Sequence, residues 1–256
     1  MKNLFNLEGK VAIITGGSRG IGAMMAKGFV QNGVKTYITA RKKEELDATA
    51  KELSEFGECI AIPSDISTLE GIKTLTQEIM RHEDKIDILV NNAGATWGAP
   101  VAEFPEAGWD KIMDLNVKSP FFLIQQLLPA LKAAGTQEDP ARVINIGSVN
   151  GLSYSGMTNY SYTASKAAII HLTKHLAADL VKDNINVNGI APGFFPSKMT
   201  SHLLDHEEEL AKHIPLGRIG KPEDAAGTAI YLSSKASSWV TGHTIVLDGG
   251  QVTSAG

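Results

Sequence analysis

Short apolar runs recur along the chain, each ending in glycine or polar residues and leading into a segment of helical periodicity. The runs at 11–15, 35–39, 59–63, 87–90, 142–148, 185–191 and 243–247 read as strands. Between them, 23–31, 42–57, a segment starting near Thr68, and 222–232 carry helical patterns. Strands of this kind, apolar throughout, are covered on both faces. Their alternation with helices predicts an α/β fold with a parallel, doubly wound sheet and helices on both sides. Two further stretches, 121–131 and 167–172, are apolar nearly all round. Each needs a partner on the side away from the sheet, and they are expected to pair across a dimer interface. Pro129 is expected to kink or shorten its helix. Residues 194–220 have no strong period and are expected to form a lid over substrate. Phe194, Phe195, Met199, Leu203 and Leu204 make its first part apolar, which suits either an acyl chain or simple packing.

The first strand runs straight into Gly16, Gly17, Ser18, Arg19, Gly20, Ile21 and Gly22, and a helical pattern follows. A glycine turn between strand and helix lets backbone approach a pyrophosphate, and the helix N-terminus offers it unpaired N–H groups. This predicts a Rossmann-type dinucleotide site, although the glycine spacing departs from the common G-x-G-x-x-G. Sites for NAD usually place a carboxylate after the second strand, on the ribose. Here Ala40, Arg41, Lys42 and Lys43 stand there. Arg41, with Arg19 as a second candidate, suits the 2′-phosphate of NADP(H). Asp65 and Ile66 follow the third strand. Asp65 can accept from an adenine amino group, cap the next helix, or do both.

Tyr162 and Lys166 are four apart, which on a helix puts them on one face. A free phenol has a pKa near ~10, and a neighbouring ammonium is expected to lower it. Ser148, after the fifth strand, is placed to hold a carbonyl or alcohol oxygen for Tyr162. Taken alone, Tyr162 and Lys166 also read as a surface pair. Tyr160 lacks a lysine one turn on and is the weaker candidate, and Tyr154 is a candidate substrate contact. Asn116 interrupts an apolar helical stretch, where asparagine is unfavourable. Trp97 reads equally as pocket lining or as packing, and Trp109 as packing.

TGGSRGIG at 15–22, NNAG at 91–94 and YTASK at 162–166 together resemble the short-chain dehydrogenase/reductase family over essentially the whole chain. The resemblance implies strand order 3-2-1-4-5-6-7 and nicotinamide-dependent hydride transfer. It implies a catalytic set of Ser148, Tyr162, Lys166 and Asn116, the last distorting its helix and holding a water linked to Lys166. It also extends the cofactor set to Asn92, Ala93 and Gly94, to Tyr162 and Lys166 at the nicotinamide ribose, and to Pro192 and Gly193. Ser197 stands where the family usually carries threonine, with a hydroxyl retained. Passages such as NNAGATWGAP, QQLLPALK, PARVINIGSV and APGFFPSKMT are similar to 3-oxoacyl reductases, which implies a β-ketoacyl thioester on acyl carrier protein or coenzyme A. A sugar, polyol or steroid reductase is the alternative within the family. A non-catalytic dinucleotide sensor is the alternative outside it. The family also implies a homotetramer.

Length and composition narrow this further. A chain of 256 residues suits one domain spanning 1–256, although two small domains would also fit the length. A net charge of −4 offers no basic field for nucleic acid or anionic membrane. Cys59 alone excludes an internal disulfide and fits a reducing, cytoplasmic setting. The N-terminus lacks an apolar signal core, and no run reaches the ~20 residues of a membrane span. His202, His206 and His213 beside Glu207–Glu209 are read as a solvated segment rather than a metal site.

Overall fold

The computed structural model describes residues 3–154, 156–196 and 207–254. The expectations for Ser197, Met199, His202, Leu203, Leu204 and His206 lie outside these residues. The described chain forms one seven-stranded sheet, entirely parallel, in the order β3-β2-β1-β4-β5-β6-β7. Its strands are β1 Val11–Thr15, β2 Lys35–Ala40, β3 Cys59–Pro63, β4 Ile88–Asn91, β5 Ala141–Ile146, β6 Ile185–Pro192 and β7 Thr244–Leu247. The helices are α1 Gly20–Gln31, α2 Lys43–Leu53, α3 Leu69–Ile79, α4 Glu106–Met113, α5 Ser119–Ala134, α6 Tyr160–Leu180, α7 Glu207–Lys212, α8 Pro222–Ser233 and α9 Gln251–Ser254.

Side chains in a strand alternate between faces, and here each face has its own core. Ala12 and Ile14 pack with Met25 and Phe29 of α1 and with Ala225, Ala229 and Leu232 of α8. Val11 and Ile13 point the other way, into Ile72, Leu75 and Ile79 of α3, Leu123 and Leu127 of α5, and Ala177 of α6. The chain order reverses between β1 and β4, so loops leaving these strands part and open a crevice at their C-terminal ends.

Several boundaries differ from the sequence reading. Helix α1 begins at Gly20, inside the glycine turn. Helix α2 stops at Leu53, short of Gly57, which lies against the Val30 carbonyl with room for no side chain. Strand β5 ends at Ile146, which leaves Ser148 beyond it as the cap of a short 3₁₀ turn. Helix α5 runs through Pro129 to Ala134, so the expected shortening does not occur. Leu127, Ala130 and Leu131, buried on either side of the proline, hold the helix in place. Phe195 is buried, and Gly220 lies against its ring, so this part of 194–220 is packing rather than an open apolar surface. No helix of the described residues is long and apolar enough to cross a membrane.

Candidate active site

Loops at the C-terminal edge of the sheet carry all the described candidate residues of strand ends β1 to β6, and α6 adds Tyr162 and Lys166. The glycine turn after β1 is held from below by β4. Thr15 Oγ1 accepts from the backbone N–H groups of Asn92 and Ala93, both at 3.0 Å. Asn92 Nδ2 donates to the carbonyls of Thr15 at 2.8 Å and Gly16 at 3.1 Å. The Asn92 side chain therefore braces the turn. Gly16 has φ +67°, and a Cβ there would come within 2.9 Å of Ala93 Cα. Gly22 lies against the Gly16 carbonyl more tightly still, at 2.3 Å from where its Cβ would be. Only glycine lets helix α1 start so close to the strand ends, with its N–H groups facing the crevice.

Ser18 is buried, and its carbonyl accepts from Thr49 Oγ1 at 2.7 Å. Arg19, the residue before α1, directs Nη1 to both carboxylate oxygens of Glu45 at 2.9 Å. The sequence reading found no carboxylate near the arginines. Glu45, in the first turn of α2, supplies one. Arg41 is exposed at the end of β2. Its charge reaches Asp65, whose carboxyl lies below its ordinary value. Burial pushes that carboxyl up, but bonds from the Ser67 hydroxyl and N–H and the Arg41 charge outweigh it. Asp65 Oδ1 accepts from Ser67 Oγ at 2.7 Å. Thr68 caps α3 by accepting from Gly71 N at 3.0 Å, so Asp65 shapes the turn and does not cap the helix. Ile66 directs its side chain into the core.

At the other end of the crevice, Lys166 is almost wholly buried, and Nζ donates to the Ile146 carbonyl at 2.8 Å. Burial brings its pKa down to about 8. Nζ lies 5.6 Å from the Tyr162 ring centroid. The Tyr162 phenol is pushed above its ordinary value by burial, and the hydrogen bond with the Ser148 hydroxyl partly opposes this. This corrects the expectation that Lys166 holds the phenol low. Desolvation of the phenolate is the larger effect, and the group that counters it is Ser148. Ser148 Oγ also accepts from Asn150 N at 3.1 Å, which fixes the hydroxyl oxygen.

Asn116 sits in a π-helical turn, Asp114–Lys118, between α4 and α5. The expected distortion is present, and the Asn116 amide is also buried and bonded to backbone. Asn116 Oδ1 accepts from Ala95 N at 2.9 Å, and Nδ2 donates to Ala95 O at 3.0 Å and to Ser165 Oγ at 2.9 Å. Ser165 Oγ in turn donates to the Tyr162 carbonyl at 2.7 Å. Gly94 lies between the two groups: a Cβ there would be 3.4 Å from Asn116 Oδ1 and 3.6 Å from Lys166 Nζ. Pro192 ends β6, and Gly193 packs against Asp248. Tyr154 is 91% exposed in the loop before α6. Trp97 lies against Gly108 of α4 with Lys111 over its ring, which decides for packing. Cys59 is buried, with its thiol pushed up to about 11, and is inert.

Sequence reasoning missed Thr15, Glu45, Thr49 and Ser165. Thr15 and Ser165 left a signal: a polar residue ending an apolar strand, and a hydroxyl three residues after Tyr162.

Residues 16–252 match the family profile described as Enoyl-(Acyl carrier protein) reductase. The chain is 48% identical over 253 residues to the "Rhamnolipids biosynthesis 3-oxoacyl-[acyl-carrier-protein] reductase" of Pseudomonas aeruginosa, covering 98% of this chain and 99% of that protein. It is 39% identical over 253 residues to the 2-dehydro-3-deoxy-D-gluconate 5-dehydrogenase of Dickeya dadantii, covering 97% of each. Among solved structures, the Pseudomonas aeruginosa RhlG/NADP active-site complex superposes with a TM-score of 0.95 at 47% identity, covering 98% of this chain and all of that one.

Proposed function

Because the chain belongs to the short-chain dehydrogenase/reductase family, we propose that it is an NADP(H)-dependent reductase that turns a 3-oxoacyl thioester into its 3-hydroxyacyl form. One observation carries the catalytic part. The Tyr162 phenol, half-buried at the same crevice edge as the glycine turn, has the Ser148 hydroxyl as the group that counters its desolvation and the Lys166 ammonium 5.6 Å from its ring centroid. The residues fit the cofactor: a glycine cradle that a Cβ would fill at Gly16, and two guanidiniums, Arg19 and Arg41, near the ribose position. Bound NADPH supplies the hydride. Gly16, Ser18, Gly20, Ile21 and Gly22 present backbone to its pyrophosphate. Asp65, Asn92, Ala93, Gly94, Pro192 and Gly193 border the rest of it, with Ser197 assigned by motif.

Ser148 then holds the carbonyl oxygen, and Tyr162 donates the proton to it. A raised phenol pKa suits this direction, because the donor must stay protonated at neutral pH. Lys166 supplies positive charge beneath the phenol, and Asn116 holds the Ala95 loop and α6 in register around it. The lower pKa of Lys166 makes that charge sensitive to mildly alkaline pH.

The same proposal covers the acyl substrate's carrier, the assembly and the setting. A 3-oxoacyl group on acyl carrier protein or coenzyme A is supported by the relative at 48% identity. A homotetramer pairing α5 and α6 is supported by Phe121, half exposed on α5. A cytoplasmic role in lipid metabolism, and one domain over 1–256 with 194–220 as lid, complete the reading. The relatives that act on sugar acids favour a second substrate class. NADPH oxidation followed against 3-oxoacyl thioesters, small ketones and keto-sugar acids separates the two. Turnover confined to the keto-sugar acids removes the acyl reading, and no turnover of any removes the enzyme. Light scattering giving a monomer removes the tetramer.

A further inference from the structure

We infer that Glu45 competes with the 2′-phosphate of NADPH for Arg19, and so limits how strongly the site prefers NADPH over NADH. This rests on the reading that Arg19 grips that phosphate. The pair is built in rather than an accident of two long side chains. Glu45 lies in the first turn of α2, and Thr49 lies one turn further along the same face. Thr49 Oγ1 donates to the Ser18 carbonyl at 2.7 Å and to the Glu45 carbonyl at 3.0 Å. Ser18 and Arg19 are adjacent in the glycine turn. Helix α2 is thus fastened to the turn at Thr49, and that fastening holds the Glu45 carboxylate against Arg19. Both carboxylate oxygens lie 2.9 Å from the same Nη1.

The pair is open to solvent, with 46% and 38% of the two side chains exposed, so it adds little to stability. Its consequence falls on binding. A phosphate monoester brings nearly two negative charges to a cation that already has a carboxylate on it. Two anions that draw on one cation weaken each other, and the weakening is reciprocal. NADH has no 2′-phosphate and does not call on Arg19, so the penalty falls on NADPH alone. Of the other acidic groups nearby, Asp47 pairs with Lys43 and Asp65 accepts from Ser67, while Glu44 shares the first turn of α2 with Glu45 but Arg19 Nη1 meets Glu45. Arg41 makes no ion pair with Glu45 and stays available to the phosphate.

The test is direct titration of NADPH and NADH, read by nicotinamide fluorescence, in the full chain, in E45Q, in R19Q and in the double variant. Glu45 is exposed and on a helix, and glutamine keeps the helix, so E45Q folds. E45Q is expected to tighten NADPH by about fivefold, the low end of ordinary coupling between sites. NADH should stay within about twofold, the margin within which unconnected sites add. In the R19Q background the gain from E45Q should vanish, because the contested cation is gone. If R19Q weakens NADPH selectively but E45Q leaves its affinity unchanged or lowers it, the inference fails while the grip by Arg19 stands. A gain from E45Q that persists without Arg19 also overturns it, since through-space repulsion would then suffice. If R19Q weakens NADPH and NADH alike, the premise about Arg19 fails and the inference goes with it.

Discussion

The two ends of the crevice hold charge in opposite ways. At the phosphate end, Arg19, Glu45 and Arg41 are open to water, and their charges are screened. At the proton-transfer end, Lys166 and Asn116 are buried, and every hydrogen-bonding group of Asn116 has a partner. Water sets the strength of the first arrangement and its absence sets that of the second. Substitutions at the phosphate end should therefore change affinity in modest, salt-dependent steps. Those at the buried end should change turnover, in steps that salt does not touch.

The largest expected effect is at Tyr162. The Y162F variant should lose at least the ~100-fold in kcat typical of a missing general acid, with a far smaller change in NADPH affinity by titration. A near-normal rate would remove the contrast altogether. Next is pH. Lys166, brought down to about 8 by burial, is charged below that value and neutral above it. The kcat/KM for carbonyl reduction should be flat at neutral pH and fall as pH rises through about 8, approaching tenfold per unit beyond it. Tyr162 stays protonated over this range because its own pKa is raised. A profile flat to pH 10 would place the needed charge elsewhere.

Smaller again is Ser165, which joins Asn116 to the Tyr162 carbonyl. Removing its hydroxyl in S165A costs one buried hydrogen bond pair, about 1 kcal/mol or roughly fivefold. That loss should appear in kcat with the NADPH dissociation constant unmoved, and S165C should recover part of it. Equal losses in both constants would make Ser165 a folding residue only. The smallest effect is at Arg41. R41Q should weaken NADPH severalfold at low salt, and the difference from the parent chain should shrink as salt rises. A salt-independent loss would show that Arg41 acts by shape rather than charge.

How far these features could be read in advance follows the range of the forces involved. The strands and the glycine turn were legible because they depend on neighbours in sequence: an apolar run, then residues that tolerate φ above zero. Asn116 was legible for a related reason, since an amide inside an apolar helix contradicts its surroundings. The direction of the Tyr162 shift was not. Spacing along α6 shows that Lys166 is near, but burial of both groups comes from elements distant in sequence, and that burial decides the sign. Glu45 was missed for the same reason. Nothing in a stretch of lysines and glutamates marks which one meets Arg19, 26 positions away. The unbroken run of α5 through Pro129 likewise depends on contacts from elsewhere.

The wide turn at Asp114–Lys118 has an effect far from Asn116. Helix α4, this turn and helix α5 follow one another without a gap. Each added residue advances a helix by about 100°, so the extra residue in the wide turn sets the angular phase of α5 relative to α4. Deleting one residue there would shift that phase by about 100° and turn Leu123, Leu127 and Leu131 off the sheet. The amide in the crevice and the seating of a sixteen-residue helix are geared to the same insertion, and neither can be altered alone.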